Sequence, residues 1–252
     1  MIHAADSGSR QMKPSTLANL GLLAALVSGC GGGGSGAMAP TTYDFIAPQV
    51  NSQRNYSQTI VDNSNNTIDE TISETVTAVN SDGSYVVLSE DPSHNSIVVN
   101  GTTYSVPTET INVNNFGQDT SYSFTAANGT QVTCTYDPHG NGPNYPFTVG
   151  DTWTLQYTFA CGAAAPVTYS QTGTVEDVES VTVPAGTYSA VKLQSTVTWT
   201  TAGGTTITQT VSNWRDAATQ LPVKRTIAIA YGGTIPSHGY EVSSELELQT
   251  EN

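Results

Sequence analysis

Beyond residue 40 the chain alternates apolar and polar side chains with a period of two. Val132, Cys134 and Tyr136 alternate with Gln131, Thr133 and Thr135; Trp153, Leu155, Tyr157, Phe159 and Cys161 alternate with Thr152, Gln156 and Thr158. Val191, Leu193, Val197 and Trp199 oppose Lys192, Gln194, Thr196 and Thr198. Val242, Ser244, Leu246 and Leu248 oppose Glu241, Ser243, Glu245, Glu247 and Gln249, and Ile227, Ile229 and Tyr231 make a shorter run. A period of two sets one row of side chains against a core and the other in water, as in half-buried β-strands. Turn residues separate the runs: Asn80-Ser81-Asp82-Gly83, Asn100-Gly101, Asn128-Gly129, Pro184-Ala185-Gly186 and Gly203-Gly204. Asn-Gly suits the primed hairpin turns, because both residues tolerate positive φ. No stretch after residue 30 repeats with helical spacing. The pattern predicts an all-β protein, with antiparallel meanders of consecutive hairpins forming a curled sheet or open half-barrel.

The hairpins also repeat at longer range. Thr71 to Leu88 is similar to Thr174 to Leu193, which aligns Gly83-Ser84-Tyr85 with Gly186-Thr187-Tyr188, 103 positions later. Asn55-Tyr56 aligns with Thr152-Trp153, 97 positions later. Either the domain is duplicated or Thr/Val-rich hairpins recur by composition. Duplication would give two tandem β-sheet units, 41–145 and 146–252.

The amino end reads differently. Lys13 precedes an almost wholly apolar run, Leu17 to Val27. Its 11 residues are too few to span a bilayer, which takes about 20. It fits the apolar region of a signal peptide occupying residues 1–29. Met12-Lys13 reads as a more natural start than Met1, which would make residues 1–11 an extension. The run closes on Val27-Ser28-Gly29-Cys30, which resembles a lipobox. The resemblance implies that Cys30 receives diacylglycerol before cleavage. Stable anchoring takes more than one acyl chain, and a diacylglyceryl cysteine supplies two. In enterobacterial lipoproteins an aspartate at the second mature position favours retention in the inner membrane; Gly31 stands there instead, so the resemblance implies the outer membrane, with the periplasmic face expected over the cell surface. Residues 30–40 then hold the lipidated cysteine and a Gly-rich linker with a root-mean-square reach of about 17 Å.

Composition narrows the partners. Residues 1–29 contain Arg10, Lys13 and Asp6, so of 7 basic and 21 acidic residues the mature chain keeps 5 and 20, a net −15. Charged residues make up only 11% of the chain, against about 25% in typical domains, and threonine, serine, asparagine and valine replace them. Threonine on the wet face of antiparallel sheets is the usage of secreted β-proteins. The negative charge excludes nucleic acid and anionic head groups, which both need basic patches. With Cys30 lipidated, Cys134 and Cys161 remain as a pair in an oxidising compartment. Both lie on apolar strand faces. A disulfide between them closes a loop of about 28 residues, worth roughly 3.5 kcal/mol in the chain-entropy model.

A family resemblance covers residues 147–250. Phe147-Thr148-Val149-Gly150-Asp151-Thr152-Trp153, then Val181-Thr182-Val183-Pro184-Ala185-Gly186-Thr187-Tyr188, resembles the DUF3108-like group of bacterial envelope proteins. Trp214-Arg215-Asp216, Leu221-Pro222-Val223-Lys224-Arg225 and Ser244-Glu245-Leu246-Glu247-Leu248 extend it. The resemblance implies an open, curled sheet similar to that of periplasmic lipoprotein carriers, and it carries no catalytic residue.

Candidate chemistry is sparse. Gly33-Gly34-Ser35-Gly36-Ala37 fails the nucleophile-elbow pattern at its last position. His94, His139 and His238 are scattered, and no Cys or His pair has zinc-ligand spacing. Asp62-Asn63-Ser64-Asn65-Asn66 and Asp137-Pro138-His139-Gly140-Asn141-Gly142 offer oxygen atoms but lack a calcium loop's closing glutamate, and read as solvated turns. Glu176, Asp177 and Glu179 fall on a wet strand face, and the carboxylates in general are expected on turns and wet faces. Arg215, Lys224 and Arg225 either pair with nearby acids, the default expectation, or mark a partner surface. No catalytic, cofactor or metal residue is assigned. The expectation is a non-catalytic, lipid-anchored envelope protein that binds a protein or glycan partner. The alternative is a carrier of a hydrophobic ligand on a concave apolar face, and a hydrolase comes third.

Overall fold

The computed structural model describes residues 41–91, 96–99, 102–105, 108–125, 129–140, 142–233 and 240–252. The first half of the chain forms β1 (Thr42–Tyr43), β2 (Gln53–Asp62), β3 (Thr67–Val79), β4 (Tyr85–Glu90), β5 (Ser96–Val99), β6 (Thr102–Ser105), β7 (Thr108–Val113), β8 (Asp119–Thr125) and β9 (Gln131–Asp137). The second half forms β10 (Phe147–Thr148), β11 (Thr152–Cys161), β12 (Val167–Val183), β13 (Gly186–Thr200), β14 (Thr206–Asp216), β15 (Pro222–Gly232) and β16 (Glu241–Glu251). All pairings are antiparallel, as the alternation implies.

The sheet is closed. Its order is β11-β12-β13-β14-β15-β16-β2-β3-β4-β7-β8-β9, with β9 returning to β11. Each half of the chain contributes a six-stranded meander, and the β3–β4 and β12–β13 hairpins join the second and third strands of their halves. The curled sheet or open half-barrel expected from the sequence is therefore replaced by one barrel. Two seams remove the free edges that an open sheet would leave. Nine residue pairs join β16 to β2, and four join β9 to β11.

The outer wall is polar. Thr154, Thr172, Thr196 and Thr210 stand directly opposite one another on four successive strands, all exposed. This is the reverse of the apolar outer band of a lipid-spanning barrel. Inside, twelve strands enclose more space than side chains fill in small barrels. Part of that space is packed by rings from β8 to β13. Tyr122 stacks on Phe159 at 5.9 Å, Tyr136 meets Phe159 at 4.9 Å, Tyr157 stacks on Tyr169 at 5.1 Å, and Tyr169 meets Trp199 at 5.0 Å.

The two ends of the barrel differ. At the proximal end, where β2 begins, residues 44–52 form a strap across the opening. Phe45 lies 5.9 Å from Tyr85 and 5.8 Å from Tyr145, and Tyr145 packs at 4.7 Å on Phe147. The strap passes so close that a Cβ on Gly117 would sit 2.5 Å from the Phe45 ring, and Gly117 also has φ +68°. β1 pairs with β10, and the Ile46 amide donates to the Thr219 carbonyl at 3.2 Å. The tip of the long β12–β13 hairpin reaches β16, where the Ala185 amide donates to the Leu248 carbonyl. There Val181, Val183 and Ala190 pack with Tyr56, Val223 and Leu248. The distal end carries the β2–β3, β11–β12 and β13–β14 turns.

Candidate functional site

The unfilled side of the barrel holds a cavity of about 390 Å³. Strand alternation aims residues of mixed character at it. From β2 come Arg54, Tyr56 and Gln58; from β3, Glu70, Ile72, Glu74 and Val76; from β14, Gln209, Val211, Asn213 and Arg215. Glu109, Asp119, Arg225, Glu241 and Asp91 complete the charged set. All three arginines of residues 30–252 thus line the cavity. Both lysines of that stretch lie outside: Lys192 pairs with Glu176 at 2.7 Å, and Lys224 with Glu247 at 2.9 Å and also with Glu245.

The carboxyl groups on the wall are strongly perturbed. Burial, reinforced by Asp91 and Glu241, pushes Glu70 up to about 8. Burial and then Asp119 raise Glu74 to about 7, against the pull of Arg225 and Arg54. Glu74 stands directly opposite Arg54 across the β2–β3 pair. Burial first, then Asp91 and Asp119, place Glu109 at about 7. Asp119 is also raised by burial, with Arg215 and Arg225 opposing the shift. At Glu74 and Asp119 removal from water disfavours the charged form more than the guanidinium groups restore it; at Glu70 and Glu109 burial and neighbouring carboxylates act in the same direction.

Several polar atoms on this wall lack partners. Trp153 Nε1 and Arg215 Nε are buried donors with no acceptor, and Asn213 Oδ1 and Gln220 Oε1 are buried acceptors with no donor. All four residues line the cavity. Their positions are otherwise fixed. Arg215 Nη1 donates to the Tyr145 hydroxyl at 3.0 Å and to the Gln220 carbonyl at 3.2 Å, tying the strap end to β14. Gln220 Nε2 donates to the carbonyls of Asp216 and Ala217. Gln171 Nε2 donates to Ser195 Oγ at 3.2 Å, and its Oε1 accepts from the Gly142 amide at 3.4 Å. Buried polar groups are normally satisfied, so four orphans around one cavity mark it as a place for a hydrogen-bonding guest.

The residues singled out from the sequence fall elsewhere. Val27, Ser28, Gly29 and Cys30 lie outside the described residues, as do His94 and His238. Cys134 and Cys161 form a disulfide across the β9–β11 seam. Their Cα atoms are 4.0 Å apart, just below the usual 4.4–6.8 Å range for bridged pairs, because the two residues face each other directly in register. The bridge is buried among Tyr122, Phe124 and Val132. His139 Nδ1 lies 3.1 Å from the Gly140 carbonyl in the loop after β9. The Asp62 carboxylate accepts from the Ser64 and Asn66 amides at 2.8 Å and from Asn66 Nδ2 at 2.7 Å, closing its own turn. Among the described residues, no three His, Cys, Asp or Glu side chains gather as metal ligands.

Two sequence expectations need correction here. Carboxylates were expected on turns and wet faces, yet six line the cavity. Glu241 was placed with the polar row of β16; an irregularity in pairing between Glu241 and Ser243 turns it inward, leaving it 6% exposed. Arg215 and Arg225 likewise face the cavity rather than a surface.

No known family matches the chain, and no curated protein does. The DUF3108-like resemblance therefore stands only on the residues that suggested it. Solved structures similar to the chain include a Bacteroides fragilis protein described as exported with a YmcC-like fold, at 16% identity and a TM-score of 0.49, covering 83% of this chain and 99% of that one. A Parabacteroides distasonis protein described as a lipoprotein gives 13% and 0.46, covering 84% and 99%. The hypothetical lipoprotein YmcC of Escherichia coli gives 12% and 0.42, covering 81% and 86%. These values are too low to carry a function across.

Proposed function

We propose that this chain is a lipid-anchored, non-catalytic binding protein of the bacterial cell envelope, on the periplasmic side of the outer membrane, that holds a saccharide-sized polyhydroxyl ligand inside its barrel. The observation that carries the reading is the set of two unpartnered donors, one of them an indole N–H, and two unpartnered acceptors around one cavity. Sugars present hydroxyl edges that donate and accept, and C–H faces that pack on aromatic and aliphatic rows. The wall offers both, with Trp153, Tyr56 and Ile72 among the charged groups. Its volume lies in the range of small-molecule sites, about 300–1,000 Å³. Six carboxyl groups against three guanidinium groups favour a neutral or cationic guest over an anionic one.

A fatty acyl guest would leave those carboxyl and guanidinium groups desolvated and unpaired, at several kcal/mol. That weighs against the hydrophobic-carrier alternative. One observation favours hydrolysis as the second reading: glutamates held near neutrality are suited to general-acid work.

Calorimetric titration of the mature protein with neutral and amino mono- and disaccharides, and with a fatty acid, separates these readings. Saturable heat is expected with saccharides and not with the fatty acid, with no product formed on long incubation. Binding of the fatty acid alone would move the protein to the carrier class. Turnover lost on Glu74→Gln would make it a hydrolase, and silence across the panel would refute the cavity as a sugar site.

A further inference from the structure

The exposed large apolar side chains among the described residues sit toward one end of the barrel. They are Ile46, Val50, Val79, Phe116, Val149 and Val178, and Ile46 is the most exposed at 57%. Ile46 and Val50 belong to the strap, and Val79 ends β3 where that strand reaches the proximal rim. Phe116 is in the β7–β8 turn and Val149 in the β10–β11 turn, both proximal. Val178 lies on the part of β12 that overhangs the same rim. None sits on a described distal turn.

The strap gathers these residues onto one surface. Phe45 rests on Gly117, the neighbour of Phe116, and Tyr43 packs at 6.1 Å on Phe147, two residues before Val149. The Asn51 amide donates to the Val76 carbonyl at 2.8 Å, which sets Val50 beside the end of β3. Scattered apolar side chains need no explanation, but a grouping at one pole does.

The chain supplies a reason. The described residues begin at Thr41, just before β1, which pairs with β10 at the proximal end, and ten residues separate Thr41 from Cys30. Ten residues reach about 17 Å at the random-coil root-mean-square estimate, so a lipid on Cys30 would hold the proximal pole near the bilayer surface. Tethering makes a weak contact effective, because the second association is intramolecular. The same rim carries Asp44, Asp82 and Asp151, which suits a zwitterionic surface and opposes an anionic one.

We infer that the proximal end of the barrel rests on the zwitterionic lipid surface to which Cys30 is anchored, with Ile46, Val50, Phe116 and Val149 at the interface and the distal turns pointing away. This orientation rests on lipidation of Cys30 but not on the identity of the cavity ligand.

With Cys134 and Cys161 bridged and Cys30 acylated, one added cysteine can be labelled selectively. Full-length lipidated protein carrying Phe116→Cys, Val149→Cys or Ala202→Cys would be labelled with an environment-sensitive fluorophore. Each would then be reconstituted in phosphatidylcholine–phosphatidylethanolamine vesicles. Labels at 116 and 149 should shift to the blue and be quenched by doxyl-lipids, while 202, on the distal β13–β14 turn, stays water-like. Vesicle-bound protein with equal quenching at all three sites, or none, would overturn the orientation while leaving the anchor intact. A blue shift without lipid quenching would assign the face to a protein contact and overturn it as well. Protein that fails to float with vesicles would remove the anchor, and the inference with it.

Discussion

Trp153 lies over Gly173, its directly paired neighbour on β12, so closely that a Cβ on the glycine would fall 2.1 Å from Trp153 Cζ2. The indole occupies the place a side chain would take, and its Nε1 remains among the unpartnered groups of the cavity. The contact therefore links the packing of β11 on β12 to the geometry of the candidate site.

Gly173→Ala should displace that ring, since neither strand can move without breaking the ladder. Overpacking of this kind costs about 1–3 kcal/mol. Denaturant unfolding should show the loss, and in a Trp153→Ala background the same Gly173→Ala change should cost less. Additive losses in the double variant would mean that the two residues do not compete for one space.

The β9–β11 seam is short, and Cys134–Cys161 staples its end. Reducing the bridge should lower stability by about 3.5 kcal/mol on the chain-entropy estimate for this loop. Urea midpoints of oxidised and reduced protein provide the comparison. Equal midpoints would show that closure of the barrel does not depend on the bond.

Glu70, Glu74 and Glu109 are held at about 8, 7 and 7, above the 4.5 of a free glutamate. Folded protein therefore binds more protons than unfolded protein between roughly pH 4.5 and 8, and stability falls as pH rises through that window. Their contribution is fully present below about pH 4.5 and is lost by about pH 8. Asp62 and Asp82, lowered by hydrogen bonds in their own turns, act with the opposite sign and only in more acid solution. The melting temperature should drop between about pH 5.5 and pH 8.5, and Glu70→Gln should flatten the slope. A melting temperature that rises across this range would contradict the placement of these carboxyls.

Much of this architecture was legible because alternation reports which face of a strand is buried. β12, β13 and the disulfide faces follow it directly. Barrel closure was not legible, since it depends on β16 meeting β2 and β9 meeting β11, pairings between distant segments that no local period specifies. The cavity charges left a signal that alternation alone could have revealed. On β3, Glu70 and Glu74 stand in phase with Ile68, Ile72 and Val76, and on β7 Glu109 stands in phase with Ile111 and Val113. A glutamate in step with the apolar row points inward. Glu241 left no such signal, because the pairing irregularity near Val242 puts it out of phase with its strand.

Replacing Cys30 with serine tests the anchor. The lipoprotein signal peptidase needs the modified cysteine, so Cys30→Ser should leave an unlipidated, uncleaved chain, seen by mass spectrometry and by loss of acyl labelling. A mature soluble product of normal mass from Cys30→Ser, with no lipid mass on the wild type, would remove lipidation from the account.

The cavity as a binding site is the central claim, and Trp153 reports on it directly. Of the three tryptophans it alone lines the cavity; Trp199 packs on Tyr169, and Trp214 lies outside, bonded to Glu179. In a Trp199→Phe, Trp214→Phe background, titration with a bound saccharide should change Trp153 emission saturably, and Asn213→Leu should abolish the change while the fold's melting transition persists. Emission that stays constant while calorimetry still records binding would place the ligand outside the barrel and contradict the account.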